Sequence, residues 1–440
     1  MINRYKKYID SGVNWVGNIP QEWNKTQLKY ISSISKGRKA KEDHQDFKEG
    51  MIPYLSMEYL RNQTESPSYV YSDDPSILLV NEQDLLILWD GSKAGEIVKA
   101  KNGALSSTMG KIHLESQIFD LNFLTYYLKN AELYIQANTV GMGIPHVSGE
   151  ILRTLFITYP QLQEQTKIVQ YLEHQTAIID QLIKRKQKLI ELLKEKRRAT
   201  INEAITKGVN PNAKMKDTGI GWLGKLPNQW SLVQIRHINS KVGSGVTPKG
   251  GADVYTDEGV IFIRSQNVHF NGLQLDDVVK IDLDTHDKMS SSKVVYKDVL
   301  LNITGASIGR CCVVEIKSEM NVNQHVCIIR PNQKILSEYL NLVLQSNVGQ
   351  IQIKLGTTGG NREGLTFEAI KEFVIPLPTL QEQKEILSTI QLMLNNYKDL
   401  ETLNSIQIEK LKEYRQSIIS EAVTGKIDVR DWQPNKQQVA

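Results

Sequence analysis

Cysteine is nearly missing from this chain: 440 residues hold three, Cys311, Cys312 and Cys327. Three thiols cannot build a disulfide framework, and none stands at the CxxC spacing of a zinc or dithiol site, so all three read as buried apolar residues. Long hydrophobic runs are missing too. No apolar stretch reaches the roughly 18 residues that span a bilayer, and the opening MINRYKKYIDSG lacks the apolar core of a signal peptide. A cytoplasmic protein with no membrane partner is the expectation. Excess charge is small as well. At a net charge of +4, a nucleic-acid surface would have to come from local clusters of Lys and Arg rather than from bulk charge.

Catalytic signatures are equally scarce. A methyltransferase acting on DNA bases needs an Asn-Pro-Pro-aromatic or Asp-Pro-Pro-aromatic tetrapeptide, and the chain has neither. A nucleotide-driven motor needs GxxxxGK[S/T], but the Gly-Lys pairs beginning at Gly110, Gly224 and Gly425 run on into Ile112, Leu226 and Ile427. The eight histidines form no HExxH and read as structural or contact residues. Ser290 and Lys293 have the S-x-x-K spacing of acylating enzymes without its SDN and KTG partners, which points to a loop. One fragment keeps an enzyme in view. Asp298, Glu315 and Lys317 form a carboxylate–carboxylate–lysine trio that could hold magnesium and activate water in a self-contained nuclease. The pattern is loose and has no counterpart in the first half of the chain, so ordinary strand-edge charges are the favoured reading.

What is present fits a folded chain of two or three domains, with 40% hydrophobic and 23% charged residues. Its main feature is an internal repeat. DSGVNWVGNIPQEW at 10–23 returns as DTGIGWLGKLPNQW at 217–230, an offset of 207 (217 − 10). PQLQEQTKI at 160–168 returns as PTLQEQKEI at 378–386, an offset of 218 (378 − 160). The second offset persists: Leu193, Lys194, Glu195, Arg197, Ile201, Glu203, Ala204 and Thr206 reappear as Leu411, Lys412, Glu413, Arg415, Ile419, Glu421, Ala422 and Thr424. Between these blocks the halves differ by 11 residues (218 − 207), and similarity thins to points such as Gly91 and Gly95 against Gly305 and Gly309. The scaffold is duplicated while its content has diverged.

Neither Gly nor Pro occurs from Leu162 to Lys207 or from Leu380 to Thr424, so each stretch predicts one long helix, ended by Gly208 or Gly425. Ile168, Leu172, Ile179, Leu182, Leu189 and Leu193 follow three-four spacing, interrupted by Gln175 and Lys186. The second copy offers Ile386, Ile390, Met393, Tyr397, Leu400 and Leu411, interrupted by Asn404 and Gln407. Two such helices, each about 65 Å long at 1.5 Å per residue, are expected to pair along this seam; the alternative is that each packs on its own domain. The segments 24–159 and 231–377 read as mixed α and β. Their strand candidates begin at Leu85, Val260, Val299 and Val326. The expected division is a first domain at 1–159, a helix at 160–208, a second domain at 209–377, a second helix at 378–425 and a tail at 426–440.

Candidate DNA contacts lie in basic, glycine-containing loops. Lys36, Arg38 and Lys39 flank Gly37 in the first half; Lys241, Ser244, Thr247 and Lys249 occupy nearly the same place in the second. Lys and Arg neutralise phosphates, and glycine lets the main chain approach closely. Arg264, Gln266, Asn267, Gln324 and His325 carry groups suited to base edges. Asn361 and Arg362 sit in another glycine-rich loop, and Lys93 and His146 complete the first-half set. The basic helix run of Lys184, Arg185, Lys186 and Lys188 with Lys194, Lys196, Arg197 and Arg198 reads first as a solvated face, though it could track phosphates.

Taken in this order, the residues resemble the specificity subunits of type I restriction–modification systems. The resemblance covers nearly the whole chain. It rests on the 10–23 and 217–230 motifs, the PxLQEQ helix starts at Pro160 and Pro378, GSGVTP at 243–248, TGASIG at 304–309, NQH at 323–325 and EAVTGKID at 421–428. It implies a mixed α/β fold with two target-recognition domains separated by two antiparallel helices, a coiled coil that acts as a ruler between the parts of a split DNA site. It also implies that the chain itself is no enzyme and holds no cofactor or metal. Two methylase subunits would dock on the helices and motor-nuclease subunits would join them, carrying S-adenosylmethionine, ATP and Mg. The first half departs from the pattern: WDGSKAG (89–95) replaces TGASIG and no NQH follows, which fits an asymmetric target. A coiled-coil scaffold that binds no DNA remains the other alternative.

Overall fold

In a computed structural model of the chain, residues 3–61, 66–141, 143–248, 250–357 and 364–434 are described. Lys249, Asn361 and Arg362 fall outside them. The chain divides into two compact units, one formed by Met1–Lys186 with Ile406–Ala440 and the other by Gln187–Ser405. The division runs through both long helices, so each unit is a globular body plus part of each helix.

The strand candidates fold as strands, and their hydrogen bonding shows that the two units share one internal plan. In the first unit, β1 (Ser32–Lys36) pairs with β5 (Met109–Leu114), which pairs with β3 (Leu85–Leu88), all antiparallel. A second sheet sets β2 (Met51–Leu55) parallel to β4 (Gly103–Leu105). In the second unit, β6 (Asn239–Ser244), β10 (Val326–Pro331) and β8 (Val299–Asn302) repeat the first arrangement, and β7 (Val260–Ile263) lies parallel to β9 (Met320–Val322). The middle strands β3 and β8 are rich in aliphatic residues and buried along their length, as strands covered on both faces require.

The repeat motifs have a physical role at the junction of sheet and helix. Helix α1 (Leu121–Ala137) precedes the long helix α2 (Leu162–Lys207) in the first unit; α3 (Ser337–Gln345) precedes α4 (Leu380–Val423) in the second. The tryptophan that closes each opening motif donates its indole N–H to the glutamate of the following LQEQ: Trp23 to Glu164 (3.0 Å) and Trp230 to Glu382 (2.8 Å). The second glutamine of each LQEQ is wholly buried. Gln165 accepts from the Asp120 N–H (2.9 Å) and donates to the carbonyls of Ile118 (3.0 Å) and Pro160 (2.9 Å). Gln383 does the same with Leu336 (2.9 Å), Lys334 (3.2 Å) and Pro378 (3.1 Å). Asp120 and Leu336 are the N-cap residues of α1 and α3. One glutamine thus ties the start of a short helix to the start of a long one, and neither amide is left with an unpaired buried atom.

Within each unit the long helices run antiparallel. Asp180 meets Arg415 (3.0 Å) and Lys186 meets Gln407 in the first unit, while Thr200 meets Tyr397 (3.3 Å) in the second. Ile168, Leu172, Ile179, Ile386 and Ile390 are buried, and Leu193, Tyr397 and Leu411 half-buried, so these face the packing. Leu182, Leu189, Met393 and Leu400 correct the expected seam: they are 39%, 43%, 46% and 44% exposed. The facing row lies one residue later, at Ile183, Ile190, Leu394 and Glu401. At three of these four places an adjacent apolar pair satisfied either row in the sequence. The polar residues read as interruptions decide between them, because Lys186 and Gln407 hydrogen-bond to each other within the packed row.

The carboxy-terminal segment stays packed on the first unit through Trp432. Val429 is 1% exposed and Trp432 stacks edge-on against Tyr171 (5.3 Å), while the Asp428 N–H bonds the Asn3 carbonyl (2.8 Å). The segment closes the core of the first unit beside Tyr5, Trp23 and the start of α2. Cys311, Cys312 and Cys327 are all buried free thiols.

Candidate nucleic-acid interface

In each unit the chain leaves the parallel strand of one sheet, crosses in three residues, and enters the central strand of the other. Those residues are Ser106, Ser107 and Thr108 between β4 and β5, and Asn323, Gln324 and His325 between β9 and β10. Loops gather around each crossover. In the first unit Gly37, just after β1, rests on it so closely that a Cβ would lie 2.1 Å from the Ser106 carbonyl oxygen; in the second a Cβ on Gly245, just after β6, would lie 1.5 Å from that of Val322. Glycine is required at both places because any side chain would strike backbone. The residue after β3, Trp89, donates its N–H to the Thr108 carbonyl (2.8 Å), as Ile303 does to His325 (3.0 Å). Gly95 and Gly309 return to Leu88 and Asn302 (2.8 and 2.9 Å), both at positive φ.

The side chains on this shared frame differ. In the second unit His325 Nδ1 lies 2.6 Å from the Thr304 hydroxyl and its Nε2 lies 2.9 Å from the Gln324 amide nitrogen. The amide donates, so Nε2 accepts and Nδ1 carries the proton that goes to Thr304. Asn323 accepts from the His325 N–H (3.1 Å). Gln266 is exposed and bonds Asp277 (3.1 Å); Arg264 donates to the Asp277 carbonyl (3.1 Å) and lies over the Tyr255 ring at 5.7 Å. Ser244 and Thr247 flank Gly245, with Thr247 exposed. In the first unit Lys36 pairs with Asp90 (2.9 Å) and sits 5.7 Å from the Trp89 ring. Arg38, Lys39 and Lys93 are exposed on the neighbouring loops, and His146 bridges to Asp90 through the backbone.

Two expected contact residues sit elsewhere in function. Asn267 is 2% exposed and spends its amide on the Arg264 N–H (3.0 Å) and the Gln274 carbonyl (2.9 Å), so it shapes the loop that carries Arg264 and Gln266. Lys241 lies three residues before Ser244 along β6 and donates to the Ser291 carbonyl (2.7 Å), away from the crossover. Burial, and then the nearby Arg330, lowers its basicity. Sequence reading missed the crossover of the first unit, Ser106 to Thr108, and saw Trp89 and Asp90 only as the start of the segment that replaces TGASIG. Its only signal is strand register, since the loops around it differ in length and composition between halves.

The nuclease trio is not assembled. Asp298 is fully buried with both oxygens taken by Arg330 (2.8 Å each) and one also by the Val295 N–H (2.8 Å), whereas Glu315 is exposed beside Lys297. Among the described residues no group of three or more His, Cys, Asp or Glu is placed to hold a metal ion.

A family profile described as Type I restriction modification DNA specificity domain matches residues 20–192 and again residues 229–410. The chain belongs to this family. The MjaVIII type I specificity subunit of Methanocaldococcus jannaschii is 30% identical over 94% of this chain and 95% of its own length. The EcoBI specificity subunit of Escherichia coli is 24% identical over 96% of this chain and 90% of its own. Among solved structures, a chain from a study of complex assembly and conformational transition of the type I restriction–modification system shares the fold, with a TM-score of 0.69 at 16% identity over 92% of this chain and 98% of that one. As a specificity subunit the chain recognises DNA for a restriction–modification complex and is not itself its catalyst. The two profile matches coincide with the two duplicated halves, each with its sheets, crossover and helix start.

Proposed function

We propose that each globular half reads one part of a split, asymmetric target in double-stranded DNA and that the paired helices set the gap between the parts. The observation that carries this reading is the duplicated crossover frame holding different side chains in each half. Equal frames place equal stretches of surface against DNA, and unequal donors and acceptors there prefer unequal bases. Arg38, Lys39, Lys93 and Thr247 supply backbone contacts, while Gln266 and Gln324 face base edges and His325 holds Gln324 in place. Lys36 contributes less to phosphate binding because Asp90 already neutralises it.

Two methylase subunits dock along the helices, and restriction subunits join them; S-adenosylmethionine, ATP and Mg serve those partners. The exposed apolar residues of the helices support a docking role. Leu182, Leu189 and Leu192 of α2 and Leu392, Met393, Leu400 and Leu403 of α4 stand in solvent, where single-chain packing gives them no purpose. No described helix is long and apolar enough to cross a membrane, and the complex works in the cytoplasm on DNA.

The test is selection of a randomised duplex library by the chain co-expressed with its methylase, at fixed moderate salt, with the retained DNA sequenced. A two-part motif with a fixed gap is expected, and a heptad inserted in register in both helices should widen that gap without changing the bases read. Retention of random DNA by a stable complex would mean that the chain is a scaffold.

A further inference from the structure

We infer that the three-residue crossover between the two sheets is the base-reading element shared by both halves: hydroxyl groups of Ser107 and Thr108 read one position of the first half-site, and Gln324, positioned by His325, reads the matching position of the second. This rests on the recognition role proposed above and adds the residue-by-residue correspondence, which the sequence hides.

Strand register establishes the match. Leu105 pairs with Leu55 at the end of the parallel strands as Val322 pairs with Ile263, and Met109 pairs with Leu88 as Val326 pairs with Asn302. Three residues remain between the paired ends in each case. Their backbone bonds are also duplicated: the Met109 N–H returns to the Ser106 carbonyl (3.1 Å) as the Val326 N–H returns to Asn323 (3.2 Å). The adjoining loops are tied in the same way, Val147 N–H to Trp89 (2.8 Å) and Leu365 N–H to Ile303 (2.9 Å). Ser106, Ser107 and Thr108 therefore stand where Asn323, Gln324 and His325 stand.

The hydrogen bonds of the frame are kept in both halves while all three crossover side chains change, so the same backbone presents different groups in each half. The outward positions are those that a base could reach: Thr108 and Gln324 are exposed, Ser107 and His325 half-buried. Chemistry separates the halves further. A serine or threonine hydroxyl donates or accepts and tolerates several bases, whereas a glutamine amide gives the paired donor and acceptor that match adenine N7 and N6. Thr304 orients His325, which in turn holds the Gln324 amide, so the second reader is fixed in place before DNA arrives. Among the described residues, one side-chain contact holds the first reader, that of Ser106 with Thr108 (3.1 Å). The first half should therefore discriminate more weakly at its position than the second.

Library selection with the methylase complex tests this through Gln324→Ala in one experiment and Ser107→Ala with Thr108→Ala in another. The expected result is confined loss: Gln324→Ala relaxes one position of one half-site by on the order of ten-fold or more, the hydroxyl variant relaxes one position of the other half-site by less, and the gap and remaining positions keep their consensus. An unchanged consensus with uniformly weaker retention would make the crossovers phosphate contacts or plain scaffold and would overturn the inference, as would relaxation spread over both half-sites. Failure of the unaltered complex to select any motif would instead remove the recognition reading itself. Ser107→Ala alone keeps the first arm decisive should loss of the Thr108 hydroxyl impair folding, and a thermal melt of each variant separates the two causes.

Discussion

Replacing Gln383 by Ala isolates what the LQEQ motif does in the second unit. The side chain is wholly buried and makes three hydrogen bonds, accepting from the Leu336 N–H and donating to the carbonyls of Lys334 and Pro378. Each such bond contributes about 1 kcal/mol net, and a buried N–H left without an acceptor costs about 1 kcal/mol more, so the expected loss is about 3–4 kcal/mol. The loss should be local, because all three partners belong to the unit that holds α3 and the first part of α4. Hydrogen–deuterium exchange resolves it by segment. At 1.4 kcal/mol per tenfold, amides of α3 and of the strand Val374–Leu377 should exchange about a hundred- to a thousandfold faster, with amides of α1 unchanged. Gln165→Ala should give the mirror result in the first unit, since its three bonds are the same in kind. A cost under about 1 kcal/mol for either variant, no more than a single ordinary hydrogen bond contributes, or a loss spread evenly over both units, would refute the clamp.

Other expectations follow from burial and pairing. Burial pushes the Cys312 and Cys327 thiols up to about 12 and raises Cys311 as well, so native protein should react with no thiol reagent at pH 8 and denatured protein with three equivalents; a reactive native thiol would contradict the packing of β10 or of the strand Cys311–Val313 beside β8. Ile190→Gln should lower the melting temperature while Leu189→Gln leaves it within error and weakens assembly with the methylase; equal thermal effects would return the seam to the earlier register. Arg330→Met leaves the Asp298 carboxylate buried without its partner and should cost about 3–5 kcal/mol in urea unfolding, with Asp298→Asn recovering part of that loss in the same chain; no recovery would mean that shape rather than charge holds the pair.

The duplication, the two long helices and the family were legible in the sequence because each rests on a local or repeated signal. A long stretch free of Gly and Pro with three-four spacing, ended by glycine, needs no distant partner to be read as a helix, and two gapless offsets reveal a repeat whatever fold it takes. The choice between Leu189 and Ile190 could not be read that way. Both residues satisfied the pattern, and the pairing of Lys186 with Gln407 across the helices selected one. Loop chemistry gave residue types suited to DNA but not their roles, so Asn267 looked like a reader until its amide was seen to be consumed inside its own loop. Asp298 likewise looked available for a metal until Arg330, 32 residues away, closed on it.

The crossover draws the same line most clearly. Sequence determined that Asn323, Gln324 and His325 form a polar tripeptide between apolar runs; it carried nothing to align Ser106, Ser107 and Thr108 with them, because the intervening loops differ in length and share almost no residues. Hydrogen-bond register between strands far apart in the chain made that alignment, and register is a property of pairing across space rather than of neighbours along the backbone.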